Sequence, residues 1–294
     1  MAVSSDRAMN IAVIGAGEMG SAVGRRLHKM GARVMTELNG RSEQSARRAK
    51  NAGLEIIDDD ELLIRQSNLI LSIVPPGVAC AVADRFRGPL EKTAHKPTFV
   101  ECNAIAPVTV RHIETILKET GCGFVDAGII GGPPSIDDLT KGPRFYASGC
   151  HAQKISILTQ YGLDISILDA PIGAASALKL AYAGLTKGFT ALGAAMIGAA
   201  ARNNLDAALR AELARSQPDM LMRLDRFIPA MFPKAYRWIA EMEQIADFAG
   251  EENQGSTIYK GAARLYERIA AEFESEDSTE WLSALTSFCK SRVG

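Results

Sequence analysis

The segment Gly15-Ala16-Gly17-Glu18-Met19-Gly20 constrains this chain more than any other. It has the spacing G-x-G-x-x-G, follows a short apolar run from Asn10 to Ile14, and opens a helical stretch from Ser21 to Met30 that Gly31 closes. An apolar run ending in glycine suits a buried parallel strand, where both faces are covered and hydrophobic alternation disappears. In a strand–turn–helix unit the three glycines do different things. Gly15 permits the tight turn, Gly17 leaves room for a pyrophosphate against the backbone, and Gly20 lets the helix pack closely on the strand. The helix start offers free N–H groups and a partial positive charge to the phosphates. A glycine-rich turn without a ligand is the bland alternative. The agreement of strand, loop and helix favours a dinucleotide site made of Gly15, Gly17, Glu18, Met19 and Gly20.

The pattern repeats along the first half. Arg33 to Thr36, Leu69 to Val74, Thr98 to Glu101, Phe124 to Ala127, Arg144 to Ala147 and Ile165 to Leu168 read as strands, and Ser42 to Asn51 and Val108 to Thr120 as helices. Strands alternating with helices imply βαβ units and a parallel sheet with right-handed crossovers. After Pro171 the pattern changes. Ala174 to about Asn203 reads as one long helix, and Leu205 to Arg215, Asp219 to Phe227, Tyr236 to Ala249 and Ser256 to Phe273 are helical by period and composition. The expected fold is therefore α/β, a Rossmann doubly wound parallel sheet over residues 1–170, followed by an all-helical C-terminal domain over residues 171–294 that binds substrate and dimerises.

Composition narrows the function classes. The 294 residues are 47% hydrophobic and 23% charged, as in ordinary globular domains. With 33 basic and 34 acidic side chains the formal charge is -1, which gives no electrostatic footprint for nucleic acid or an anionic membrane. The five cysteines form no CxxC pair and no metal-ligand spacing with the four histidines, so reduced thiols and no metal are expected. The stretch Met1 to Asn10 lacks the apolar core of a secretory signal, and the apolar run Phe189 to Ala201 is glycine-broken and shorter than the ~20 residues that span a bilayer. A cytoplasmic protein with a buried helix there is the expectation. No HExxH, GxSxG or P-loop lysine supports a hydrolase or a kinase.

The second strand ends in Thr36-Glu37-Leu38-Asn39-Gly40-Arg41-Ser42. An acid at the strand tip would take the ribose hydroxyls of NAD, and Glu37 is the candidate. Arg41 with Asn39 and Ser42 would instead suit a 2′-phosphate. NADP is favoured, with NAD possible; an exposed arginine at a helix start is the alternative for Arg41.

Several further segments resemble the β-hydroxyacid dehydrogenase superfamily, the group that includes 6-phosphogluconate dehydrogenase. They are Ser72-Ile73-Val74-Pro75-Pro76; Glu101 to Pro107; Asp126-Ala127-Gly128-Ile129-Ile130-Gly131-Gly132, which is similar to a D-x-P-V-S-G-G motif; and Gly173 to Lys179, similar to G-x-G-x-x-x-K. The tail around Arg237 to Met242 resembles the C-terminal domain of a less characterised branch. The resemblance implies that Val74, Pro75 and Pro76 border the cofactor, that Ile130, Gly131 and Gly132 meet the substrate, and that Lys179 is the acid/base. It also implies interlocked domains in a homodimer. This chain departs from the pattern in having Ile130 where serine is usual, Gly128 for proline, and Tyr182 and Ala183 where asparagine often follows the lysine. A familiar substrate such as 3-hydroxyisobutyrate is therefore not transferred.

The residues themselves allow this chemistry. Hydride exchange with a nicotinamide needs a partner that moves a proton on the alcohol oxygen, and a lysine in a dehydrated, apolar helical stretch such as Ala174 to Ala183 suits that role. The alternative is a lysine snorkelling to water. Tyr182, one turn on, shares that face and can bind the substrate oxygen or steady the amine, or else packs between helices. Lys187 reads as a solvated surface lysine. Asn103 can bond the substrate or the nicotinamide amide, or cap its own loop. Gly131 and Gly132 either bring N–H groups to an anionic substrate or make a plain turn before Pro133-Pro134. Arg237, Trp238 and Glu241 read as an exposed helix with one core tryptophan. The leading expectation is an NAD(P)-dependent dehydrogenase acting on a small β-hydroxy acid or its carbonyl counterpart, with decarboxylation possible. An imine reductase, or a non-catalytic dinucleotide sensor, is the alternative.

Overall fold

A computed structural model describes residues 9–138, 140–252, 254–275 and 280–290. The chain separates into two compact units, one running to Lys179 and the other from Leu180.

The first unit is built on β1 (Asn10–Ile14), α1 (Glu18–Lys29), β2 (Arg33–Thr36), α2 (Glu43–Asn51), β3 (Glu55–Ile56), α3 (Asp60–Gln66), β4 (Leu69–Ser72), α4 (Ala79–Lys92), β5 (Thr98–Glu101), α5 (Pro107–Lys118), β6 (Gly123–Ile130), β7 (Arg144–Ser148) and β8 (Asp164–Ile167). Its sheet has the order β3-β2-β1-β4-β5-β6-β7-β8. The order reverses at β1, next to β4, the kind of switch point where α/β sheets bind ligands outside the carboxyl ends of their strands. Both faces of β1 are buried: Ile11 and Val13 join one hydrophobic cluster, Ala12 and Ile14 the other. On the second face Phe86 meets Phe99 edge-on at 6.5 Å, and Phe99 stacks on Phe124 at 6.1 Å.

The sheet is predominantly parallel, as the sequence implies, with an antiparallel pairing that the pattern of strands and helices did not announce. β7 pairs antiparallel with β6, and β8 runs with β7. The reason lies in the connection. Residues 131–143 hold two proline breaks, at Gly132-Pro133-Pro134 and Gly142-Pro143, and no helix among those described, so the chain returns beside β6 as a hairpin-like partner. A 3-10 helix, Ala152–Tyr161, then carries it across to β8. Arg26 of α1, which is buried, fastens that connection. Its guanidinium donates to the carbonyls of Ser135, Asp138 and Lys141 at 2.9–3.2 Å and to Gly162 at 3.1 Å.

α6 (Ala174–Arg202) begins in the first unit and continues into the second, which also holds α7 (Asp206–Ser216), α8 (Pro218–Met231), α9 (Ala235–Ala249), α10 (Gly255–Glu274) and α11 (Glu280–Lys290). The glycines of α6 are notches for neighbouring helices. A Cβ on Gly193 would lie 2.2 Å from Leu224 of α8, and one on Gly198 only 1.9 Å from the Trp281 indole of α11. Arg210 of α7 grips Asp225 of α8 through both oxygens, at 2.7 and 3.0 Å.

Two expectations for this half are corrected. The helix is long, as its sequence implies, but it is not wholly buried: its 29 residues are long and apolar enough to cross a membrane by length and composition, and Leu185, Leu192 and Met196 stand exposed on one side. Lys187 is not a solvated surface lysine. It is half-buried, ion-paired with Glu241, and lies 4.9 Å over the Trp238 ring, which meets Tyr266 edge-on at 5.2 Å.

Substituting Gly198 by alanine sets a helix-propensity gain of up to ~1 kcal/mol against an overpacking cost of about 1–3 kcal/mol. With the indole that close, overpacking wins, and the urea midpoint should fall; an unchanged or higher midpoint would show that Trp281 does not fill the notch.

Candidate active site

The glycine loop has the geometry that its spacing implies. Gly15 adopts φ +96, and a Cβ there would lie 2.3 Å from the carbonyl oxygen of Ile73. A Cβ on Gly20 would lie 2.0 Å from the carbonyl oxygen of Gly15. Gly17 differs: a Cβ there would meet nothing within 4 Å, and no side chain caps α1. Gly15 and Gly20 are thus required by the fold, whereas Gly17 keeps open the space before the α1 N-terminus. Glu18 is exposed and Met19 half-buried beside it. An uncapped helix start with open space before it fits a pyrophosphate.

At the tip of β2 the Glu37 carboxylate is fully buried and already engaged. One oxygen accepts the Asn39 N–H at 3.0 Å, and the other faces Arg85 at 2.9 Å and Arg41 at 3.4 Å. Arg41 keeps part of its surface in solvent. The Asn39 side-chain amide donates to the Asp58 carbonyl at 2.9 Å, and the Ser42 hydroxyl caps α2 by accepting the Ser45 N–H. Arg85, on α4, was not legible as part of this group, because its helix holds Gly88 and Pro89 and gives a broken helical pattern.

Between β4 and β5 the Asn103 side chain closes a latch. Its carbonyl oxygen accepts the Val74 N–H at 2.6 Å, and its amide donates to the Ser72 hydroxyl at 3.1 Å. Asn103 is 3% exposed, which makes the loop-capping alternative the one its geometry describes. The latch holds Val74 buried and sets Pro75 at the surface and Pro76 at the start of a 3-10 turn, Pro76–Val78.

The carboxyl edge of the sheet carries an unusual polar row. Ser72, Glu101, Asp126 and Ser148 are register partners on β4, β5, β6 and β7, and all four are fully buried. Asp126 accepts four hydrogen bonds: from the Ser148 hydroxyl at 3.0 Å, the Gly173 N–H at 2.9 Å, the Ser176 N–H at 3.1 Å and the Ser176 hydroxyl at 2.6 Å. The Ser148 hydroxyl in turn accepts the Ala175 N–H at 3.1 Å. The orphan N–H groups that begin α6 are therefore satisfied by side chains from two strands, and an acidic side chain faces the positive end of the helix dipole. Gly128 completes the docking: a Cβ there would lie 2.6 Å from the Ala175 carbonyl oxygen and 3.1 Å from Cβ of Lys179. Glycine at that place lets the first turns of α6 lie against β6.

Docked in this way, Lys179 is half-buried and its amine donates to the Cys102 carbonyl at 3.5 Å, just past the end of β5. Ile130 ends β6. Gly131, at φ +128, turns against Pro143, and Gly132 is exposed. Tyr182 stands on α6, one turn beyond Lys179, with half its surface exposed rather than packed between helices of this chain. Glu101 is the site residue that sequence reasoning passed over. It was visible only as an acid ahead of a proline.

Comparison with known proteins bears on the family and the fold. Residues 10–156 match the family model described as the NAD binding domain of 6-phosphogluconate dehydrogenase, and residues 200–269 match a domain of unknown function. A protein of Methanothermus fervidus, an uncharacterized 28.5 kDa protein in the 7S RNA 5′ region, is 30% identical over 184 residues, spanning 63% of this chain and 68% of that one. The solved structure of MTH1747, a conserved protein of unknown function reported to resemble 3-hydroxyacid dehydrogenases, superposes with a TM-score of 0.70 at 28% identity, over 90% of this chain and 97% of that one. Mycobacterium tuberculosis 3-hydroxyisobutyrate dehydrogenase, solved with L-serine, shares the fold with a TM-score of 0.74 at 15% identity, over 96% and 99% of the two chains. The match over half the sequence, on the Rossmann unit that carries the glycine loop, places the chain in the 6-phosphogluconate dehydrogenase-like family of NAD(P)-dependent dehydrogenases.

Proposed function

We propose that the protein transfers hydride between a nicotinamide dinucleotide and a small β-hydroxy acid or the corresponding carbonyl compound, with Lys179 as the acid/base. The observation that carries this reading is the seating of Lys179. Asp126 anchors the start of α6, Gly128 admits its first turns, and the amine comes to the Cys102 carbonyl at the same strand edge as the Val74–Asn103 latch. The bound nicotinamide supplies or accepts the hydride. In reduction, the Lys179 ammonium gives a proton to the carbonyl oxygen; in oxidation the neutral amine takes it from the hydroxyl. Ile130, Gly131 and Gly132 line the substrate's approach, and both glycines are exposed. With serine absent from that motif, the substrate takes fewer side-chain hydrogen bonds there than in relatives that have it. Carbonyl chemistry is favoured over imine reduction because a lysine amine stands at the strand edge. Lys179→Met should lower kcat by a factor of about 100 or more, the order of one lost acid/base group, with dinucleotide affinity retained. This is read by following NADP reduction with hydroxy acids and NADPH oxidation with aldehydes, ketones and cyclic imines; near-normal turnover would remove Lys179 from the chemistry.

For the cofactor we propose NADP. The support is the state of Glu37: both its oxygens are taken, so it is not offered to ribose hydroxyls, while Arg41 beside it keeps solvent-facing surface for a phosphate. Arg41→Ala should weaken NADPH binding by roughly tenfold or more relative to NADH, by calorimetry; an unchanged ratio would show that Arg41 does not read the 2′-phosphate.

We propose a homodimer paired through α6. Leu178, Tyr182, Leu185, Phe189, Leu192 and Met196 recur at spacings of four and three, the period of a coiled-coil seam, and all but the half-buried Phe189 are exposed, Leu185 to 74%. The spacing reads the same from either end, so two copies can pair antiparallel with Leu185 opposite the partner's Phe189. Light scattering should give a dimer, and Leu185→Glu a monomer. A monomeric native protein would contradict the pairing.

A further inference from the structure

Two carboxyl groups lie side by side, shielded from solvent, at the edge of the sheet. Glu101 and Asp126 are register partners on adjacent strands, and neither has any exposed surface. Their surroundings are unequal. Asp126 accepts four hydrogen bonds, so its lone pairs are occupied by donors that favour a carboxylate. Glu101 accepts the Asn103 N–H at 2.9 Å through one oxygen, and its second oxygen is buried with no hydrogen-bond partner among the described residues. Two neighbouring buried carboxyls share one site, and the poorly supplied member keeps its proton.

We propose that Glu101 stays a neutral carboxylic acid at physiological pH and positions the Cys102–Asn103 turn, so that its ionisation in alkaline solution loosens the latch fronting the cofactor. Three contacts hang from this turn. The Asn103 N–H donates to Glu101, the Asn103 side chain joins Val74 to Ser72, and the Cys102 carbonyl receives Lys179. Of the groups around the acid, Asp126 on β6 is acidic, Cys80 on α4 and Cys102 in the turn are thiols that burial pushes toward their neutral form, and Lys179 brings its amine to the Cys102 carbonyl. Burial is the chief cause that raises Glu101, to about 8, and the Asp126 charge adds to it; the Asn103 N–H, the Asn103 side chain and the Ser72 hydroxyl act in the opposite direction. A carboxyl raised in the folded state stabilises the fold fully at pH values below its unfolded value, near 4.5, and that contribution is lost as pH rises through about 8.

This inference rests on the reading that the Val74–Asn103 latch fronts the dinucleotide, and its test separates the two. The full-length protein and Glu101→Gln, which fixes the neutral shape, are compared by infrared spectroscopy, thermal unfolding and NADPH titration across neutral to alkaline pH. The wild-type spectrum should show the carbonyl stretch of a buried protonated carboxyl at neutral pH; it should fade above about 8 and be missing from Glu101→Gln. NADPH affinity should then fall by roughly tenfold per pH unit beyond that point in the wild type, and the fall should be absent in Glu101→Gln. Absence of the infrared band in the wild type at neutral pH, or an equal alkaline loss in both proteins, overturns the proposal. Should NADPH bind at no pH, the cofactor reading fails, while the band, and a thermal stability that declines more steeply in the wild type than in Glu101→Gln from neutral pH up to about 8, still decide the state of Glu101.

Discussion

The anchoring of α6 by Asp126 is the contact on which the site depends. A long helix leaves its first N–H groups without partners, and in most proteins a serine or aspartate at the N-cap supplies one acceptor. Here the acceptors come from the sheet. One carboxylate from β6 and one hydroxyl from β7 take the N–H groups of Gly173, Ala175 and Ser176. That fixes the start of α6 both along its axis and in rotation. Since Lys179 lies one turn further on, its direction is fixed too, and Gly128 sets how closely the helix approaches β6.

The same strand edge explains why the dinucleotide loop and the candidate acid/base share one place. β1 delivers the glycine turn, β4 the Val74–Pro76 segment, β5 the Cys102–Asn103 turn, and β6 the aspartate that anchors the helix. Each element ends at the carboxyl side of the sheet, where the reversal of strand order opens room for a ligand. Burial has an electrostatic consequence here. Four polar side chains in a row without solvent must be satisfied by their neighbours, and of the two carboxyls Asp126 takes four donors while one oxygen of Glu101 has none among the described residues.

Much of the fold was legible because its signals are local. The glycine loop, the strand at Thr98 to Glu101 and the long helix from Ala174 need only spacing and composition to be read. The reversal of β7 was also encoded, in the absence of a helical pattern between Gly131 and Pro143, but that signal is a missing element rather than a present one. β3 holds two residues and α4 contains a proline, so neither makes a readable period. In the site, Gly15 and Gly20 could be assigned from the motif. The engagement of Glu37 with Arg85, the latch made by Asn103 and the pairing of Glu101 with Asp126 join residues far apart in the chain. Side-chain partners across a sheet depend on strand order and register, which a pattern of residue types does not carry.

The most direct test follows the hydride itself. NADPH and NADH carrying deuterium at C4 of the nicotinamide are mixed with the protein and a panel of small carbonyl compounds, and the products are read by mass spectrometry. Deuterium on the former carbonyl carbon of at least one product, lost in Lys179→Met, is the result expected of a dehydrogenase whose proton comes from α6. Tight binding of the dinucleotide with no deuterium in any product would mark the protein as a dinucleotide-binding protein without this chemistry.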